Sequence, residues 1–152
     1  MKRHKSLIPL SQDHHHGLLL SQLIKKGAPE YKDLPNDIEG KAEYVKESWN
    51  NELKLHFENE EKILFPFVQG KNDALDNLIS EIIDEHIKIK KLVKELDYSE
   101  NKEETLNKLG VLLENHIRKE ERILFPQTQT LLGIDLDKLE GKINPVKNTC
   151  KT

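Results

Sequence analysis

A histidine and a glutamate stand four residues apart at two places in this chain, as His56 with Glu60 and as His116 with Glu120. Residues with that spacing lie one above the other on the same face of an α-helix, so each pair can direct an imidazole nitrogen and a carboxylate oxygen at one point. Divalent metal ions accept both kinds of ligand, and dinuclear sites inside helical bundles are built from such pairs on facing helices. The spacing therefore indicates metal binding.

Each pair belongs to a longer repeated phrase, HFENEEKILFP at 56–66 and HIRKEERILFP at 116–126. One HxxxE pattern in a chain with 27 acidic residues arises easily by chance, and a solvated ion pair is then the simpler explanation. Two occurrences, each followed by a second glutamate and then by ILFP, favour two half-sites of one centre. Since two glutamates from different helices can bridge a pair of ions, we expect a dinuclear centre.

A further candidate ligand lies in the segment IIDEHIKI, where His86 stands among isoleucines. Ile82, Ile83 and Ile87 indicate that the side chain of His86 faces the core. A single core-facing histidine is more often a hydrogen-bonded core residue than a ligand. His86 is nevertheless a candidate ligand, because with it every long helical stretch of the chain offers at least one imidazole.

The run of three histidines at 14–16 supplies the first helical stretch, and its periodicity leaves the ligand undecided. The leucines that follow place His15 and His16 nearer the centre of the apolar arc than His14. In contrast, Gly17 and Ser21 follow His14 at three and seven positions, and small residues there would leave room for a metal cluster. Periodicity does not decide among His14, His15 and His16, and His14 and His15 are retained as candidate ligands.

The candidate ligands are imidazoles and carboxylates, with no thiolate among them. They are His14 or His15, His56, Glu60, His86, His116 and Glu120. Such a set favours iron, manganese or zinc over copper(I) or calcium, and two divalent ions would offset the cost of burying two carboxylates. Because Cys150 is the single cysteine, neither a disulfide nor a thiolate cage can form within one chain.

The composition is typical of a small bundle of amphipathic helices. Apolar residues make up 36% of the 152 residues and charged residues 34%, which leaves much charged surface around a modest core. The net charge of −3 gives no electrostatic footprint for nucleic acid. No apolar run approaches the roughly 18 to 20 residues of a membrane span, and no signal-peptide pattern follows the N-terminus. We therefore expect a cytoplasmic protein.

Proline, glycine and asparagine divide the chain into four stretches with helical periodicity, at about 11–27, 37–68, 73–97 and 101–128. Short connections between them predict an all-α, up-down-up-down four-helix bundle. In that topology the second and fourth helices run parallel, which brings the repeated phrases to a similar height. We predict a single domain over 1–152, with the bundle at about 10–128 and a short C-terminal tail.

Local signals predict several details of these helices. Ser11 is expected to cap the first helix, with Asp13 in its first turn. Pro66 and Pro126 should kink or end their helices just after the candidate ligands. A short extra helix is expected after Gly133. Four phenylalanines should fill core volume and keep the metal region dry, and they are Phe57, Phe65, Phe67 and Phe125.

Taken together, these motifs resemble the hemerythrin-like (HHE cation-binding) domains over about 10–128. The resemblance rests on DHHHGL, on HxxxEExILFP in two copies, and on DEH in the third helical stretch. It implies a four-helix bundle holding a non-haem di-iron centre, with a histidine from each helix and two bridging carboxylates. Carried over by position, it implies the ligands His56, Glu60, His86, His116 and Glu120. It also implies a first-helix ligand from the DHHH run, with His14 ahead of His15.

Two departures separate this chain from the oxygen-carrying hemerythrins. Those proteins use two histidines four apart on the third helix, whereas here Lys90 follows His86 at that distance. Their fourth helix carries HxxxxD, whereas this chain carries HxxxE. The pattern looks more like the hemerythrin-like module of the iron–sulfur repair di-iron proteins. Those proteins have an additional cysteine-containing N-terminal domain, which we do not expect here, and this argues against repair activity.

The resemblance implies a protein that binds or senses O2, NO or iron, with zinc and manganese as alternative metals. The alternative is a di-iron enzyme acting on NO or peroxide, or supplying iron for iron–sulfur cluster repair. A third interpretation is a metal-free or zinc-bound bundle that acts in protein contacts. No further acid, base or nucleophile motif is visible, so no catalytic residue is assigned. The expected partner is a small diatomic ligand, with neither nucleic acid nor a membrane, and the sequence names no redox partner.

Overall fold

The computed structural model describes residues 2–146, and over that range the chain forms helices and no strands. The four long helices are α1 (Ile8–Ile24), α2 (38–68), α3 (Asp73–Glu95) and α4 (102–132). A 3₁₀ helix at Gly133–Leu139 follows directly. The predicted all-α four-helix bundle is confirmed, and so is the short extra helix. Cys150 lies outside the described residues. Between residues 2 and 146, no helix has the length and apolar character that a membrane span requires.

At the starts of α2, α3 and α4, the side chain of the preceding residue caps the helix. A side-chain oxygen before each helix accepts a hydrogen bond from a backbone N–H of the first turn, which satisfies one of the donors that a helix start leaves unpaired. The accepting residues and their donors are Asp37 with Gly40, Asn72 with Leu75, and Asn101 with Glu104. The starts of α2, α3 and α4 therefore lie within one residue of their predicted positions.

The start of α1 was predicted wrongly. The helix begins at Ile8, and Pro9 occupies its first turn, where a residue without a backbone N–H is tolerated. Ser11 consequently lies inside the helix and caps nothing; its hydroxyl donates to Glu121 Oε2 at 2.7 Å. Pro9 therefore marked the start of α1 better than the predicted cap Ser11 did.

The repeated phrase produces the same backbone irregularity in both of its copies. A π-helical turn covers Glu60–Leu64 in α2 and Glu120–Leu124 in α4. In each, the backbone N–H of the phenylalanine before the proline donates to the carbonyl of the glutamate five residues earlier. Pro66 and Pro126 then begin a new α-helical segment, so the missing N–H breaks no α-helical hydrogen bond there. Helix α2 ends soon afterwards, as predicted, but α4 continues to Leu132 and the predicted end near 128 was wrong.

Two apolar clusters fill the bundle, and the candidate ligands lie between them along every helix. One cluster includes Leu10 of α1 and Leu124 of α4; the other includes Leu20 of α1 and Leu113 of α4. Polar groups in this middle layer are shielded from water on both sides. The ligand layer is therefore a small polar section within an otherwise apolar core.

On α3, one of the three isoleucines predicted to mark the core side of His86 lies at the surface. Ile87 is 62% exposed, whereas Ile89 is fully buried. Each residue of a helix is rotated by about 100° from the one before it. Ile87, directly after the core-facing His86, therefore points away from the core, and Ile89, three residues after His86, points back into it.

Small residues on α1 and α4 allow these two helices to pack closely. A Cβ atom added at Gly17 would lie 2.7 Å from Ile117 Cδ1, and one at Gly110 would lie 2.9 Å from the Ser21 carbonyl oxygen. Gly17 and Gly110 therefore let the two helices approach closely.

Candidate metal centre

Six of the predicted ligand side chains converge in the middle layer of the bundle, and all are buried. They are His14 of α1, His56 and Glu60 of α2, His86 of α3, and His116 and Glu120 of α4. Their ligand atoms form two groups of four, and within each group all atoms lie within 4.8 Å of one another. We name these groups the first position (His14, His56, Glu60, Glu120) and the second position (His86, His116, Glu60, Glu120). Because both glutamates belong to both groups, each carboxylate is placed to bridge two ions.

The distances show how each carboxylate lies between imidazoles. Every close contact joins a histidine Nε2 to a glutamate oxygen. The separations are 2.8 Å for His14–Glu120, 3.0 Å for His86–Glu60, 3.2 Å for His56–Glu60 and 3.7 Å for His116–Glu120. The repeated HxxxE pairs thus place carboxylate and imidazole together on α2 and α4, while α1 and α3 each add one imidazole from across the bundle.

Several polar atoms of this layer are buried without a hydrogen-bond partner among the described residues. They are Nε2 of His56, His86 and His116, both carboxylate oxygens of Glu60, and Oε2 of Glu120. The atoms are close together, but their directions do not match those of hydrogen bonds. Burying unpaired polar atoms is costly, and cations at the two positions would satisfy nitrogen and oxygen lone pairs at once. The residues present therefore fit a pair of metal ions.

A second set of carboxylates, the outer carboxylates, holds the other side of every imidazole ring. They are Asp13, Glu61, Glu85 and Glu121. The Nδ1 contacts are His14–Glu121 at 2.6 Å, His56–Asp13 at 2.9 Å, His86–Glu61 at 2.6 Å and His116–Glu85 at 2.7 Å. An Nδ1–H that donates to a carboxylate leaves the Nε2 lone pair directed at the centre, as is usual for histidines that bind metal.

These outer carboxylates were not assigned to the site from the sequence, although their pattern was visible. Asp13 was predicted to lie in the first turn of α1, which was wrong because that turn holds no acidic residue. Glu61 and Glu121 directly follow Glu60 and Glu120, while Asp13 directly precedes His14. Consecutive residues on a helix point about 100° apart, so the second glutamate of each EE pair reaches the neighbouring helix. Glu85, directly before His86, completes the pattern. An acidic residue beside four of the six ligands was therefore the available signal, and only the packing of the helices shows which histidine each one meets.

The charges of the layer depend strongly on one another. Burial by itself would lower the pKa of His56, but the negative charge of Glu60 and a hydrogen bond to Asp13 hold that pKa well above its ordinary value. Burial would likewise raise the pKa of Glu60, yet the charge of His56 keeps it well below the usual range. The pKa of Glu121 is lowered to about 2, because hydrogen bonds from His14 and Ser11 outweigh its burial. Metal binding at Nε2 of His56 would compete with protonation of that imidazole.

Aromatic rings stack on two of the ligand imidazoles. Phe57 stacks on His86 with 3.8 Å between ring centroids, and Phe125 stacks on His14 at 5.7 Å. Phe57, like Phe65 and Phe125, is buried, whereas Phe67 is only partly buried beside the same core. The prediction that these rings fill core volume is confirmed for Phe57, Phe65 and Phe125.

The structure does not bring His15 to the other candidate ligands. Its side chain is exposed and belongs to neither group, because the rotation that turns His14 toward the centre turns the next residue outward. His16 points elsewhere again, with Nε2 lying 2.9 Å from Glu52 Oε1 of α2. The choice that periodicity left open is thus decided in favour of His14 by the packing of α1 on α4.

The comparison with protein families agrees with this geometry. The sequence pattern of the hemerythrin HHE cation-binding domain matches residues 10–128, which is most of the chain. The chain belongs to this family. No curated protein and no solved structure matches it.

Family and geometry together define the class of site. A hemerythrin-type domain binds metal ions, and this chain has two buried His–Glu groups of the kind that hold them. The protein is a metal-binding, hemerythrin-like helical bundle.

Proposed function

We propose that the chain holds two iron ions, one at each position, and uses them to bind or sense O2, NO or iron. The observation that supports this proposal best is that both four-atom groups share Glu60 and Glu120. Two carboxylates shared between two groups fit a bridged pair of ions better than two independent ones.

The donor set supports iron as the metal. Each position offers two imidazoles and the oxygens of two carboxylates, a combination that suits non-haem iron and leaves coordination positions open. Iron ions held in this way would supply the redox-active, open coordination sites to which a diatomic molecule can bind. Zinc and manganese accept the same ligands and are the alternative metals to be compared by metal analysis.

The surroundings of the centre support binding over catalysis. Each ligand imidazole has its Nδ1 engaged by an outer carboxylate. The outer carboxylates are therefore used to orient the histidines, and Glu60 and Glu120 are placed to bind the ions. The stacked rings of Phe57 and Phe125 add shielding rather than a proton donor. Turnover of NO or peroxide, or delivery of iron to damaged clusters, is the second candidate. We also propose a cytoplasmic location for the protein.

Anaerobic loading with Fe(II), followed by metal analysis and optical spectra, tests the proposal. About two iron ions per chain are expected, together with a stable new absorption band on exposure to O2 or NO. Repeated consumption of NO or peroxide would instead favour the enzyme. Less than about one iron ion per chain after careful loading would contradict the dinuclear centre.

A double variant and its matched control make this test specific. Glu60→Ala with Glu120→Ala removes both shared carboxylates and should abolish iron binding. Glu47 and Glu103 are exposed glutamates on the same two helices, so Glu47→Ala with Glu103→Ala should leave the iron content unchanged. Iron that survives in the first double variant would show that the bridging role is wrong.

A further inference from the structure

A cavity of about 350 Å³ lies beside the first position, between α1, α2 and α4. Three of the four ligand histidines contribute to its lining, and these are His14, His56 and His116. The cavity thus reaches the metal centre from one side. We name it the side chamber.

The side chamber is much larger than a diatomic molecule requires. A diatomic fills roughly the volume of one water molecule, which is about 30 Å³ in the liquid. An apolar cavity of about 150 Å³ is enough for benzene, and sites for organic ligands begin at about 300 Å³. By volume, the side chamber therefore suits an organic molecule of roughly six to ten non-hydrogen atoms.

The lining indicates an apolar ligand body. Apart from the ligand histidines, much of the wall is aliphatic or aromatic, and it includes Leu53, Phe57, Leu113, Ile117 and Val146. Two carboxylates also line it, but Asp13 accepts from His56 and Glu52 lies 2.9 Å from His16. Asp13 is thus engaged, whereas Glu52 Oε1 and His16 Nε2 lack a hydrogen-bond partner among the described residues, although their opposite charges can offset one another. The ligand histidines in the wall bring the metal ions within reach of one end of a bound molecule, and such ions take oxygen donors.

We propose that the side chamber is a binding site for a small organic molecule with one oxygen donor group and an apolar body. The oxygen group faces the metal ions, and the body lies against the aliphatic wall. This inference rests on the proposed metal centre for the oxygen group only; the fit of the apolar body depends on the chain alone.

One wall of the side chamber belongs to the segment after the 3₁₀ helix. The Val146 N–H donates to Asp13 Oδ1 at 2.9 Å, and the Asn144 carbonyl accepts from the Asn59 side chain at 3.4 Å. Ile143 anchors the segment in the core with 3% exposure. Since Val146 is partly buried and lies outside both apolar clusters, its side chain can be changed without altering a ligand or the core.

Substitutions at Val146 test the side chamber with benzene and phenol as probes, using NMR titration of the full chain. Val146→Phe keeps the N–H to Asp13 and fills part of the chamber, so it should weaken binding of both probes by about tenfold or more. Ile134→Phe adds the same ring at a position that is 80% exposed, and binding should stay unchanged. Val146→Ala should change binding by less than Val146→Phe does. Absence of probe binding, or equal effects of Val146→Phe and Ile134→Phe, would overturn the proposal.

Comparison of the two probes separates the chamber from the metal centre. Benzene has no donor atom, so its affinity should be the same before and after loading with Zn²⁺, measured by titration calorimetry. Phenol should bind about tenfold more tightly to the zinc-loaded protein, because its oxygen faces the ions. If neither zinc nor Fe(II) binds, the proposed metal centre fails while benzene still tests the chamber. If zinc binds and phenol gains nothing, the assignment of the oxygen group to the metal side is wrong.

Discussion

The first position and the second position share Glu60 and Glu120, yet the outer carboxylates around them are held differently. At the first position Glu121 forms an ion pair with Arg3 at 3.0 Å and accepts a hydrogen bond from Ser11. At the second position the Glu61 side chain is 40% exposed and pairs, among the described residues, with His86 alone. The inner ligands are repeated almost symmetrically, while their supports are not.

The difference extends to the ends of the described chain. Arg3 and Val146, which flank the bundle in sequence, both contact outer carboxylates of the first position. At the second position, support comes from within the bundle, where Lys119 of α4 pairs with Glu85 of α3. The side chamber also adjoins the first position. A repeated phrase can therefore fix a symmetric inner site, while segments outside the repeat make one half better supported and more accessible than the other.

The largest expected effect is the loss of metal from both positions. Glu60→Gln keeps the size of the side chain but takes a carboxylate from both positions, so metal content should fall from about two ions per chain to less than one. Metal analysis after loading measures this loss, with thermal unfolding as a check that the bundle is intact. A variant that retained both ions would show that the shared carboxylate is dispensable.

Loss of one histidine should separate the two positions. His14→Ala affects the first position only and His86→Ala the second only, so each variant should keep about one metal ion per chain. The experiment is metal analysis of both variants after identical loading. Loss of both ions in either variant would mean that the positions fill only together.

Replacing one outer carboxylate at each position should lower the metal affinity by different amounts. Replacing a partner that orients a metal-bound histidine typically costs about 10- to 100-fold in metal affinity. Glu121→Gln should fall in that range because it removes a charge held by His14, Ser11 and Arg3. Glu61→Gln should cost less, since the more exposed Glu61 site lets water replace it. Competition with a chelator measures both affinities, and equal losses would contradict the difference between the halves.

Helix spacing next to the first position can be changed without touching a ligand. Gly110→Ala brings a methyl group against the Ser21 carbonyl and should destabilise the protein by about 2 kcal/mol, after a partial offset from better helix propensity. Gly17→Ala meets only the end of the Ile117 side chain and should cost about 1 kcal/mol. Urea unfolding measures both. Combining Gly17→Ala with Ile117→Val removes the close contact and should restore part of the loss.

The smallest expected effect concerns the hydrogen bond from Val146 to Asp13. Val146→Pro removes the donor, and a hydrogen bond to a charged group contributes about 1.5 to 3 kcal/mol. Only the part of this that reaches His56 through Asp13 acts on the metal, so metal release to a chelator should quicken about 2- to 10-fold. Val146→Ala keeps the N–H and serves as the control, with release close to that of the parent chain. Equal release rates from the two variants would show that the segment does not support His56.

Much of this architecture could be predicted from the sequence because it depends on local spacing. Breaks in the helical periodicity predicted three helix starts to within one residue, and the HxxxE spacing put His56 with Glu60 and His116 with Glu120 on single helix faces. The isoleucines around His86 indicated a core-facing ring, and the structure buries it. These features depend only on the order of residues along one helix, so they can be predicted without knowing the neighbouring helices.

Tertiary structure alone decided which helix faces which. It selected His14 over His15, because α1 rotates to pack Gly17 and Ser21 against α4. It also gave each imidazole its outer carboxylate, since Glu121 reaches α1 and Glu61 reaches α3 across helix interfaces. Spacing along a helix fixes which side chains share a face, but the direction of that face is set by close packing of separate helices.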